Sequence, residues 1–111
     1  MKSAQQIKQS AISTIRIEAK AIEKLINYVD DDFAEAATCI LNSKGRVIVT
    51  GIGKSANIAT KIVATFNSTG TPAVFMHAAD AIHGDLGIVQ DDDIVLCLSK
   101  SGNTPEIKVL I

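Results

Sequence analysis

Val47-Ile48-Val49-Thr50-Gly51-Ile52-Gly53-Lys54-Ser55 passes from a β-branched run into a glycine-rich turn, and Ile58, Ile62, Val63 and Phe66 follow it at helical spacing. Branched side chains favour the extended backbone, whereas apolar residues three or four apart mark one face of a helix. The stretch therefore reads as strand, loop, helix. Gly70 and Pro72 end that helix, and Ala73 to Met76 form a second strand. His77 to Gly87 mixes small and polar residues with two glycines, which predicts a short helix and a loop. Ile94 to Leu98 is a wholly apolar strand of the kind buried on both faces of a parallel sheet. It opens into Ser99-Lys100-Ser101-Gly102-Asn103-Thr104-Pro105-Glu106, and Ile107 to Ile111 begins another helix.

Two helices precede the first strand. Ile7, Ala11, Ile15, Ala19, Ile22, Ile26 and Val29 step along one face of a long helix. Asp30, Asp31 and Asp32 suit the positive end of a second one, with Phe33, Ala36, Ala37, Ile40 and Leu41 as its apolar face and Gly45 marking its end. Because strands that alternate with helices assemble most economically in parallel, the expected fold is α/β, a doubly wound parallel sheet preceded by two helices. The chain stops at Val109-Leu110-Ile111 without a capping residue and three strands leave an apolar edge, so it reads as a fragment of a larger domain.

Composition narrows the function. With 111 residues there is room for one domain, and 47% hydrophobic against 21% charged residues describes a chain that buries a core. The balance of 11 basic and 12 acidic side chains provides no broad positive field, so nucleic acid is not an expected partner. Aromatic residues amount to 4% with no Trp, which argues against base stacking and points to a small polar ligand. No signal peptide or membrane span is read, and a cytoplasmic protein is expected. Cys39 and Cys97 form no C-x-x-C pair and read as reduced, buried small hydrophobes.

Ligands of open parallel sheets bind beyond the carboxyl ends of the strands, where both glycine and serine loops lie. Ser99, Ser101 and Thr104 offer three hydroxyls beside the start of a helix, whose free N–H groups and summed dipole favour a compact anion such as a phosphate monoester. An ordinary cap explains part of this loop: Asn103 and Glu106 fit a capping box, and Thr104-Pro105 fits an N-cap followed by a first helical residue. Three hydroxyls exceed what one cap requires. The Gly51–Ser55 loop is not a P-loop, because Ile48 stands where that motif needs glycine. Gly51, Gly53 and Ala56 satisfy the dinucleotide spacing, but no acid follows the second strand, where Phe75-Met76-His77 stands. Lys54 sits poorly at a helix start unless an anion is present.

Gly51-Ile52-Gly53-Lys54-Ser55, Ser68-Thr69-Gly70-Thr71-Pro72, His83-Gly84-Asp85-Leu86-Gly87 and Ser99 to Ile107 occur in the order and spacing of sugar isomerase (SIS) domains, and the combination resembles their arabinose-5-phosphate isomerase subgroup. The resemblance covers Arg46 to Ile111. It implies residues 46–111 as the first part of a phosphosugar-binding domain, while the apolar stripes of residues 1–45 lead us to expect N-terminal helices packing on the domain or on a partner subunit. It further implies interconversion of D-ribulose 5-phosphate and D-arabinose 5-phosphate through an enediol, feeding synthesis of the acid sugar Kdo for lipopolysaccharide or capsule.

By the same resemblance, Gly53, Ser55, Ser99, Ser101 and Thr104 bind the substrate, while Lys54, His83 and Glu106 carry the chemistry. Moving a proton between adjacent carbons needs a base, a proton shuttle between oxygens and a positive group at the developing oxyanion. Glu106 is assigned as the base, Lys54 as the oxyanion partner, and His83 to ring opening or oxygen proton transfer. No cofactor or metal is expected, and the full-length protein is expected to be a homo-oligomer, a dimer or tetramer. A later histidine of the family pattern and the CBS modules many relatives append have no counterpart in this chain. Two other readings stand beside this one: a non-catalytic sugar-phosphate sensor, which would need the serine loop but no acid/base set, and an isomerase of another ketose phosphate. His77 and Asp80 read as structural.

Overall fold

The computed structural model describes residues 3–82 and 84–100. It divides into two compact units, the first ending at Thr38 and the second beginning at Cys39.

The first unit opens with helix α1, Ala4–Lys24. Ser3 caps it through a reciprocal box: its hydroxyl accepts from the Gln6 N–H, and the Gln6 side chain accepts from the Ser3 N–H. The expected helix to Val29 ends earlier. Leu25–Tyr28 tighten into a 3-10 turn, which uses carbonyls the last α-turn leaves free, and Val29 is extended. Ile7, Ile15, Ile22 and Ile26 of the predicted stripe are all more than half exposed. Helix α2, Asp31–Leu41, starts where Asp30 Oδ1 accepts from the Phe33 N–H at 3.0 Å, with Asp31 and Asp32 in its first turn.

The second unit holds the sheet. Strands β1 (Val47–Gly51), β2 (Ala73–His77) and β3 (Ile94–Cys97) are parallel and lie in the order β2-β1-β3. Helix α3 (Lys54–Ser68) joins β1 to β2. The five-residue helix α4 (Ala78–Ile82) and a 3-10 turn (Asp85–Ile88) join β2 to β3. Alternation of side chains sends Val47 and Val49 to one face, where they pack with Ala59 of α3 and Ala73, and sends Ile48 to the other with Met76 and Ala81. Each fully buried valine or isoleucine here contributes about 1.5 to 3 kcal/mol.

Several expectations are corrected. The strand buried on both faces is β1, not β3: β3 has one sheet neighbour among the described residues, and Val95 is 46% exposed. Cys97, at the end of this outer strand, is only half-buried, and Cys39 is exposed because it lies about 100° around α2 from Ile40, which packs against the core. Phe33 and Leu41, on the expected apolar face of α2, are exposed, and so is Ile58 of α3, whose neighbour Ala59 takes the fully buried position. Helix α2 ends at Leu41 rather than Gly45. Gly45 answers a different need, since a Cβ there would stand 2.3 Å from the Asp92 carbonyl oxygen.

Two polar devices fix the unit at the amino ends of its strands. Asp93 accepts from the Arg46 N–H, from its guanidinium and from the Gln90 N–H, while Arg46 also donates to the Ile88 carbonyl. The Asn67 side chain accepts from the Ala73 N–H at 2.9 Å and donates to the Ala73 carbonyl at 3.1 Å, tying the end of α3 to the start of β2.

Candidate functional site

With β1 central, its two neighbours are reached by connections that leave in opposite directions, so a topological switch lies between β1 and β3. Thr50 and Cys97 are partners in register, and the Leu98 N–H donates to the Thr50 carbonyl at 2.9 Å. The two chain segments that leave this pair are the Gly51–Ser55 loop and Leu98-Ser99-Lys100. Two segments 43 residues or more apart in sequence thus start from one point of the sheet.

The first loop is built by its glycines. A Cβ on Gly51 would lie 3.0 Å from the carbonyl carbon and oxygen of Ser55, so the start of α3 can fold this close to the strand end only over glycine. Gly53 is the N-cap of α3 with φ 60° and ψ −128°, a conformation essentially reserved for glycine. It brings no capping side chain, and the first turn carries no acidic residue. A 15-residue helix therefore presents its positive end without a side-chain anion or cap. Lys54, exposed at the first helical position, adds a full positive charge, and Ser55 is half-buried beside it. A cation there works against the dipole, and a bound anion offsets both charges at once.

On the neighbouring strand Ser99 is half-buried and Lys100 exposed. The structure thus brings Gly53, Lys54, Ser55 and Ser99 to the carboxyl end of adjoining strands. His83, Ser101, Thr104 and Glu106, the other residues assigned by resemblance, lie outside the described residues. His77 has a structural part: its Nδ1 accepts from the Ala79 N–H at 3.2 Å and so helps to start α4.

Thr50 was not singled out from the sequence. It is completely buried, and its hydroxyl has no hydrogen-bond partner among the described residues. Its one sequence signal is a hydroxyl in an otherwise aliphatic run, at the residue before the first loop glycine. A cavity lined by Lys44, Arg46, Pro72 and Gln90 to Asp93 opens at the opposite, amino ends of the strands, where the Arg46–Asp93 pair neutralises itself. No helix among the described residues is long and apolar enough to cross a membrane.

The family model for the SIS domain matches residues 40–111. Among curated relatives, the arabinose 5-phosphate isomerase KdsD of Pseudomonas aeruginosa is 49% identical over 102 residues, which are 92% of this chain and 31% of that protein. The arabinose 5-phosphate isomerase GutQ of Escherichia coli is 46% identical over 98 residues, 88% of this chain and 30% of that protein. The chain thus spans about a third of the length of the curated relatives it matches. Among solved structures, an Escherichia coli CFT073 protein in complex with arabinose 5-phosphate superposes with a TM-score of 0.90 at 39% identity, over 97% of this chain and 57% of that one. A Listeria monocytogenes protein assigned as a sugar-phosphate isomerase superposes with a TM-score of 0.91 at 35% identity, over 99% of this chain and 58% of that one.

Proposed function

The chain belongs to the SIS domain family, and from that premise we propose that it carries part of the active site of an aldose-ketose isomerase that interconverts D-ribulose 5-phosphate and D-arabinose 5-phosphate. The observation that carries this reading is the hydrogen bond from Leu98 to Thr50 at the switch point, which starts the Lys54 loop and the Ser99 loop from one place. The isomerase relatives at 46% and 49% identity and the sugar-phosphate complex of a close structural neighbour support the choice of substrate.

In this reading the phosphate lies at the open start of α3 and on the serine loop, held by Ser55, Ser99, Ser101 and Thr104 over the glycine turn at Gly53. Glu106 removes the proton from the carbon next to the carbonyl and returns it to the neighbouring carbon. Lys54 stabilises the oxyanion that develops as the enediol forms, and His83 moves protons between the sugar oxygens or opens the ring. Such an isomerase supplies an aldose phosphate to Kdo synthesis for lipopolysaccharide or capsule. We place it in the cytoplasm, where phosphorylated sugars are metabolised, and in a homo-oligomer. The exposed stripe Ile7, Ile15, Ile22 and Ile26 supports the assembly.

The test is the full-length protein incubated with ribulose 5-phosphate. Conversion to arabinose 5-phosphate, inhibited by inorganic phosphate, is expected. Tight sugar-phosphate binding without conversion favours a sensor.

A further inference from the structure

Thr50 stands at the penultimate position of the central strand, one residue before the loop that carries Lys54 and Ser55. Side-chain alternation puts it on the same sheet face as Ile48, and its partners in register there are Met76 and Cys97. Met76 is 2% exposed and Cys97 is half-buried. Neither a thioether nor a thiol satisfies the Thr50 hydroxyl, which has no partner among the described residues at 0% exposure of its residue. Buried polar groups are nearly always hydrogen-bonded, so an exception at this place calls for a physical reason. Valine has the same shape without the penalty, and the strand already uses it at positions 47 and 49.

The surroundings tie this hydroxyl to the loop. The Thr50 carbonyl is held by Leu98, so the strand end is fixed, whereas the next residues turn through two glycines, the first of which lies so close to the Ser55 carbonyl that a Cβ there would crowd it. Any adjustment of that turn when an anion settles at the start of α3 acts on backbone directly joined to Thr50.

We infer that Thr50 is a positioning residue of the sugar-phosphate site, whose buried hydroxyl gains its hydrogen-bond acceptor only in the liganded state. An interaction formed in the bound state and missing in the free state is differential by construction, so it adds to affinity and to the ordering of the loop. The inference rests on the proposed sugar-phosphate site.

The experiment uses the full-length protein and the variants Thr50→Val and Thr50→Ser, with melting temperature and D-arabinose 5-phosphate affinity as readouts. Without ligand, Thr50→Val is expected to melt about 2 °C or more above wild type, because an unsatisfied buried hydroxyl is gone. Its affinity is expected to fall about tenfold. Thr50→Ser, which keeps the hydroxyl and loses a methyl group, retains wild-type affinity. A lower melting temperature of Thr50→Val without ligand means that the hydroxyl is already bonded in the free protein and overturns the inference. Unchanged affinity of Thr50→Val, or an equal loss in Thr50→Ser, overturns it as well. If wild type itself does not bind the sugar phosphate, the site reading fails and the inference fails with it, an outcome distinct from failure at Thr50 alone.

Discussion

The Asn67 side chain bonds to both backbone groups of Ala73, accepting at 2.9 Å and donating at 3.1 Å, in the way a neighbouring strand would. It thereby joins the end of α3 to the start of β2 across the Thr69-Gly70-Thr71-Pro72 turn. Both bonds are partly buried, so removing the amide leaves two backbone groups unpaired. Asn67→Ala should destabilise the protein by about 1 to 3 kcal/mol. Urea denaturation of wild type and variant checks this, and equal midpoints would mean that solvent replaces the amide at no cost.

The pairing of Arg46 with Asp93 makes stability depend on acid. Hydrogen bonds from the Arg46 guanidinium hold the Asp93 carboxyl well below the ordinary value of 3.8, helped by the Arg46 and Gln90 N–H groups. A carboxyl whose folded pKa is depressed contributes stability that is complete above its unfolded pKa and is lost as pH falls toward the folded value. Asp93→Asn should therefore melt below wild type at neutral pH, and the gap should narrow as pH drops below about 4. A gap that stays constant down to pH 2 would show that charge is not its source.

Gly53 has a backbone conformation that L side chains avoid, although a Cβ there meets nothing within 4 Å. Among the described residues space is free, and the dihedral angles resist. Gly53→Ala should cost about 1 to 3 kcal/mol or re-form the turn, and in either case weaken sugar-phosphate binding. A variant with wild-type melting temperature and affinity would show that the turn does not shape the site.

Legibility followed chain periodicity. Val47 to Val49 reads as a strand because its residues are β-branched, the two glycines before Lys54 announce the loop, and the strand observed runs on to Gly51. The order β2-β1-β3 is not readable from the sequence, since parallel strands joined by helices can be placed in several orders; hence β3, as apolar as β1, reads as buried on both faces although it has one sheet neighbour among the described residues. Helix faces were blurred where alanine does the close packing: Ala59 is fully buried and Ile58 is 58% exposed, a reversal that size-blind periodicity does not detect. Gly53, Lys54, Ser55 and Ser99 are legible as residues just beyond strand ends, which is where the structure has them. Thr50 is not, because threonine is an ordinary strand residue and its lack of a partner among the described residues exists only in three dimensions.

The serine loop is a phosphate cradle in this account. A hydrogen bond to a charged group is worth about 1.5 to 3 kcal/mol, so Ser99→Ala and Ser101→Ala should each weaken binding of the sugar phosphate roughly tenfold or more. Inorganic phosphate should compete with the sugar phosphate in calorimetry. Two folded variants with undiminished affinity would remove the loop from the site.

The central claim is that proton transfer between sugar carbons occurs here with Glu106 as the base, and Glu106→Gln isolates it by keeping the shape of the side chain while removing its basicity. The measurement is isomerisation of ribulose 5-phosphate by the full-length wild type and variant in deuterated water, following both conversion and solvent-hydrogen exchange at the reacting carbon. We predict active wild type, with kcat lowered about 10² to 10⁴-fold in Glu106→Gln while sugar-phosphate affinity changes far less. Wild-type conversion that persists undiminished in Glu106→Gln, or wild type that binds the sugar phosphate and neither converts it nor exchanges its hydrogen, would contradict the account.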